Sequence, residues 1–303
     1  MPAMTTVIAA TENGLFRLGS SRGVELEGRN LSDVAPGTDG WWAIADGSTV
    51  VHRPPHEGWR EVGSSGGHRL NCLWPTDMGV FVGTDRAHLL TAAGDALDPV
   101  KGFEEAPGRA EWYTPWGGPP DVRSITSAGG VLFVNVHVGG ILRSDDAGDS
   151  WSATIDINSD VHEVAVAGDG SVLAATAWGL ARSRDGVRSW TFDDTGLHAP
   201  YARAVAVSSE HVFITASLGP RGGRAAIFRG NLGDAGFEKI HTGLPEWFTD
   251  NIDTGCVAAD DGIVALGTSD GRAFLSVDDG DTWQQLADDL PPVRKVLLDS
   301  AGG

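Results

Sequence analysis

The sequence predicts an all-β fold, a seven-bladed β-propeller spanning 1–303 as a single domain, on three observations. Glycine occurs 42 times, a heavy use that suits many short strands joined by tight turns and would weaken helices. A short segment recurs almost unchanged, as Ser144-Asp-Asp-Ala-Gly-Asp-Ser-Trp151 and Ser276-Val-Asp-Asp-Gly-Asp-Thr-Trp283. The tails Thr195-Gly-Leu197, Thr242-Gly-Leu-Pro245 and Asp289-Leu-Pro291 mark successive unit ends, the spacing of an internal repeat.

A third copy of the segment, Ser183-Arg-Asp-Gly-Val-Arg-Ser-Trp190, keeps both ends and moves glycine one position early. The set resembles the Asp box, Ser-x-Asp-x-Gly-x-Thr-Trp, of sialidases, sortilin-like receptors and photosystem II assembly factors. The resemblance implies a structural turn, in which Asp bonds nearby backbone amides and Trp packs between adjacent sheets. Aligned on the box, blade two covers about 30–62 and blade three 69–103. Blades four, five and six begin at Asp121, Asp160 and Tyr201, and blade seven covers 252–290. Val293-Arg-Lys-Val-Leu-Leu298 is then an inner strand without a blade, while Val7-Ile-Ala-Ala-Thr11 and Leu15-Phe-Arg-Leu18 lack an inner partner. Blade one is therefore expected to be closed by the two chain ends together, which removes open sheet edges.

The formal net charge of −19 argues against nucleic acid as a partner, since phosphate recognition needs a basic face. Gly-rich turns are frequent, but none carries the phosphate-loop lysine pattern, so no nucleotide or nicotinamide cofactor is expected. No apolar run approaches a membrane span, and 1–6 lack the basic and apolar regions of a secretory signal. Cys72 and Cys256 fall in inner strands of distant blades and read as buried free thiols. A cytoplasmic monomer is the expectation.

Starts of the inner strands align as a polar column: Ser32, Asn71, Arg123, His162, Arg203, Thr254 and Arg294. Two positions on, Val34, Leu73, Ile125, Val164, Val205, Cys256 and Val296 read as core. Ends of the second strands read Thr11, Ala45, Thr84, His137, Thr176, Ala216 and Thr268, where threonine suits a turn and His137 departs from it. His137 should lie beside His162, with His198 and His68 projecting to the same end of the channel. Aromatic side chains gather there as well: Trp112, Tyr113 and Trp116 in the long connection 102–120, with Trp178 and Tyr201 in turns.

The pattern suggests a cationic, aromatic-fringed pocket for a small anionic molecule, clamped by Arg123, Arg203 and Arg294 and lined by Trp178, Trp112 and Tyr113. His137, His162, His198 and His68 are candidate ligands for a divalent transition metal such as zinc, iron or copper. His137, His162 and Tyr201 are candidate catalytic groups for a metal-dependent lyase or hydrolase. Carotenoid oxygenases and the virginiamycin B lyase type, similar in architecture only, place metal chemistry on this face. A true sialidase is not expected, because the Arg-Ile-Pro motif is missing and only Tyr113 and Tyr201 could serve a Tyr–Glu pair. The competing reading is a non-catalytic scaffold for a protein partner, with the arginines paired internally to Glu163, Asp160 or Asp253 and the loop aromatics forming a local core plug.

Overall fold

A computed structural model describes residues 5–19, 21–92 and 96–299. They form seven four-stranded antiparallel sheets, the blades of a propeller. Blade one joins the C-terminal strand Val293–Asp299 to Thr6–Thr11, then Gly14–Leu18 and Gly23–Glu25, so the ends close the ring as expected. Blade four comprises Val122–Ala128, Val131–Val136, Gly140–Ser144 and Ser152–Ala153. Blade five comprises Val161–Val166, Val172–Thr176, Gly179–Ser183 and Thr191–Asp193. No helix among the described residues is long and apolar enough to cross a membrane.

The recurring octapeptides are turns built from their own side chains. Asp146 Oδ1 accepts from the Ser150 amide at 2.9 Å, Ser144 Oγ accepts from the Gly148 amide at 2.8 Å, and Trp151 Nε1 donates to the Gly148 carbonyl at 3.0 Å. Asp278, Ser276 and Trp283 repeat this set at 2.9, 2.9 and 3.0 Å. The third copy keeps the serine and aspartate bonds, with Val187 at φ 67° where the others have glycine. Its Trp190 reaches back to the Thr154 carbonyl of blade four at 2.7 Å.

The polar column has a structural cause. In blades one to six the inner strand slips register against its neighbour, leaving an unpaired residue next to Leu31, Leu70, Val122, Val161, Ala202 and Val293. Those residues are Ser32, Asn71, Arg123, His162, Arg203 and Arg294, members of the column. A β-bulge re-aims a side chain, and a polar one tolerates the unpaired backbone. In blade seven the register runs one residue later than the alignment placed it. Val257, not Cys256, pairs with Leu266, because Asp253–Cys256 closes a turn through Gly255 at φ 76°. Blade four carries a similar offset at the second strand: Val136 holds the threonine position, and His137 is the first turn residue beyond it. Threonine elsewhere does make the turn, as where Thr176 Oγ1 donates to the Gly179 carbonyl at 2.9 Å.

The bulge also turns the next residue toward the neighbouring blade. Asp33 Oδ2 accepts from the Leu73 amide, Ser124 Oγ from the Val164 amide, and Glu163 from the amides of Val205 and Gly255. Lys295 Nζ lies 2.8 Å from Asp33 Oδ1. Burial pushes the Glu163 carboxyl up from 4.5 to about 7, against the Val205 and Gly255 amides and the Lys295 charge, with Asp33 adding to the rise. A carboxyl that titrates higher in the folded chain stabilises the fold while protonated. Its contribution is complete below about pH 4.5 and is lost as pH rises through 7. Relative to Glu163→Gln, the wild type is expected to lose on the order of 3 kcal/mol between those values. Urea midpoints across that range check this, and parallel curves for the two proteins would contradict it. Cys72 and Cys256 are buried and unpaired as expected, and burial pushes the Cys256 thiol up to about 12.

Candidate functional site

The connection 102–120 straps blade four from its octapeptide face to the opposite face, at the turn after its second strand. Phe103 is buried edge-on against Trp151, their centroids 5.2 Å apart, and Gly102 sits so close to Asp149 that a Cβ would meet its carbonyl at 2.1 Å. Trp112 packs on Phe103 at 5.7 Å, with the Arg109 guanidinium 5.0 Å from its ring centroid. The placement of Trp112 in a ligand pocket is therefore corrected: it is core, because its chain neighbour Phe103 needs a partner between blades three and four. The next residues emerge on that opposite face. The Tyr113 amide donates to the Val138 carbonyl, and the Tyr113 hydroxyl donates to Asn158 Oδ1 at 3.1 Å. Trp178 Nε1 donates to the Asn158 carbonyl at 3.3 Å, and Trp116 lies 5.0 Å from the His137 ring. Trp116, Trp178 and Tyr113 remain 62%, 60% and 45% exposed.

Beneath them, His137 and His162 meet with ring centroids 5.5 Å apart, and Tyr201 lies 4.8 Å from His162. Both histidines are buried, at 3% and 0% exposure. Asp160, which immediately precedes the blade-five inner strand, completes the group. His137 Nε2 is 2.8 Å and His162 Nε2 3.6 Å from Asp160 Oδ1. From the sequence, Asp160 reads as the start of blade five and an arginine partner, not as a member of this group. A signal was present, since Asp121 and Asp160 each stand directly before an apolar inner strand. His162 Nδ1 lies 2.6 Å from the Ala202 carbonyl. Burial, with Arg203 nearby, pushes the His162 imidazole down to about 3, which keeps it neutral. Burial alone would raise Asp160, but His137, His162 and Arg123 together hold it below the usual carboxylate range.

His198 and His68 do not join this group. Among the described residues, only His137, Asp160 and His162 bring three such ligand atoms within 4.8 Å of one another. His198 stacks on Phe228 and packs at a tilt on Trp247, and His68 lies edge-on to His88. Each packs against an aromatic ring, a contact that shared polarity could not foretell.

No protein-family model and no curated protein matches the chain. Solved structures do. YCF48 from Cyanidioschyzon merolae is 16% identical over 89% of this chain and 94% of its own, with a TM-score of 0.61. The chain shares the fold of YCF48. YCF48 bound to D1 peptide matches at 16% identity over 98% and 96%, with a TM-score of 0.57. The WD40 propeller domain of Doa1 matches at 14% identity over 93% and 86%, with a TM-score of 0.65. At these identities the likeness is one of architecture.

On this YCF48-like frame the predicted arginine clamp is neutralised. Arg203 Nη2 lies 2.6 Å from Asp253, Arg123 Nε lies 3.1 Å from Asp121, and Arg294 pairs with Glu12. The channel encloses about 1050 Å³. Its lining sets Asp33, Asp46, Asp85, Asp121, Glu163 and Asp253 against Arg69, Arg123, Arg203, Arg294 and Lys295. The cationic lining expected from the arginines is thus corrected to a balanced one, because each bulge arginine found a carboxylate at the adjoining strand start or turn. His162 itself is absent from the lining, having turned between blades five and six.

Proposed function

We propose that this protein is a non-catalytic propeller scaffold that docks a segment of a protein partner on the exposed turns of blades four and five, beside the channel. The carrying observation is the trio Tyr113, Trp116 and Trp178, exposed around Asn158 and His137 on a face whose arginines already have carboxylate partners. Tryptophan and tyrosine are enriched among the residues that anchor protein interfaces. The overall charge of −19 favours encounter with a basic segment, and lysine or arginine side chains also stack on indole faces. A YCF48 structure carries a bound peptide on the same architecture, which supports the reading by analogy. The arginines are assigned to closing the mouth, and clamping of a small anion is the second reading.

A phage-displayed library of random peptides tests the proposal. Wild-type protein is expected to enrich basic peptides with apolar anchors. Trp116→Ala and Trp178→Ala should each weaken an enriched peptide by about 2 kcal/mol, roughly 30-fold, with the fold intact by circular dichroism. Enriched peptides that bind both variants unchanged, or no enrichment at all, would contradict it.

A further inference from the structure

We infer that His137, Asp160 and His162 form a binding site for a divalent transition metal, zinc by preference, beneath the exposed aromatic side chains. Two imidazoles and one carboxylate are a ligand set suited to zinc and its neighbours, and three protein ligands leave one position open. The inference goes beyond docking and does not depend on it.

Three geometric facts carry it. The first is the tautomer of His162. Its Nδ1 lies 2.6 Å from the Ala202 carbonyl, which can only accept, so Nδ1 holds the proton and Nε2 is left with a free lone pair. Ligating histidines ordinarily have their second nitrogen anchored in this way. That Nε2 is fully buried and has no hydrogen-bond partner.

The second is the contact with Asp160. Oδ1 is in contact with His137 Nε2 at 2.8 Å and stands off His162 Nε2 at 3.6 Å, beyond hydrogen-bond reach. The three ligand atoms converge on shared space, all within 4.8 Å of one another. Ligand atoms about 2.0–2.1 Å from a tetrahedral ion stand roughly 3.3 Å from one another, between the two observed separations. A buried polar atom without a partner is costly, so His162 Nε2 at this point asks for an occupant.

The third is the surrounding charge. Asp121 stands behind His137, its Oδ1 3.3 Å from Nδ1, where a carboxylate raises the basicity of a ligating imidazole. Asp121, Asp160 and Asp253 face Arg123 and Arg203, which leaves one negative charge before an ion binds. A divalent ion reverses that sign, so the open position suits an anionic fourth ligand.

The test uses full-length, tag-free protein stripped with a chelator, then dialysed against zinc alone or cobalt alone. Wild type should retain one equivalent of zinc, and cobalt should give the intense visible bands of a four-coordinate ion. Asp160→Asn is the decisive variant, since asparagine accepts the left-handed backbone that Asp160 adopts at φ 49°. It should weaken zinc by at least about 100-fold and abolish the cobalt bands while circular dichroism stays unchanged. His137→Gln, at a turn residue outside the strands, is the second variant and should behave alike. Wild type that retains no zinc, or that retains the same amount as Asp160→Asn, overturns the inference. Neither result bears on peptide enrichment, so the docking proposal stands or falls separately.

Discussion

Asp33→Ala is expected to lower stability by about 3 kcal/mol, the low end of the range for breaking a buried ion pair, because the Lys295 partner is 22% exposed to the channel. Asp33 is 2% exposed and joins three blades at once. Its Oδ1 takes the Lys295 ammonium of blade one at 2.8 Å and the Val34 amide at 2.8 Å, and its Oδ2 takes the Leu73 amide of blade three at 2.8 Å. Removing the carboxylate leaves the Lys295 ammonium, 22% exposed to the channel, without its partner and strands two amides. Lys295 sits on the C-terminal strand that closes the ring, so the loss falls on the seam between the chain ends. Urea denaturation measures it. The double variant Asp33→Leu, Lys295→Met should recover part of the loss, because no uncompensated charge remains. A single variant within about 1 kcal/mol of wild type would show that the pair does not hold the seam.

Phe103→Ala should cost a similar amount, about 3–5 kcal/mol, as for any fully buried phenylalanine replaced by alanine. Its ring fills the gap between Trp151 and Trp112, with Arg109 5.8 Å from its centroid. The effect should also be local. The strap 102–120 hangs on this side chain, and the strap carries Tyr113 and Trp116 to the face opposite the octapeptides. Limited proteolysis should therefore cut the variant within 102–120 under conditions that leave the wild type whole. Phe103→Leu, which keeps much of the volume, should lose markedly less. If the alanine variant resists protease as wild type does, the strap is anchored elsewhere.

The blade count, the ring closure and the turn chemistry were legible because each is a local matter repeated along the chain. Ser144, Asp146 and Trp151 make their bonds within eight residues, so spacing alone describes them. Leftover strands at the two ends, Thr6–Thr11 and Val293–Asp299, can only pair with each other in a closed ring. The meeting of His137 and His162 also followed from blade order, although His137 proved to be a turn residue and not the end of its strand. Trp112 and Trp116 show the limit. Four residues apart in one loop, they look alike in sequence, yet one is core and the other 62% exposed.

What the chain order determined by itself is the scaffold: seven sheets, their sequence around the axis, and the end at which polar and aromatic residues collect. What only the tertiary structure decided is how the charges at that end are spent. A bulge of one residue turned His162 between blades and gave Arg123, Arg203 and Arg294 carboxylates of their own. It also brought Asp160 under two histidines. Periodicity reports which face a side chain takes, whereas pairing depends on differences of an ångström between strands far apart in sequence.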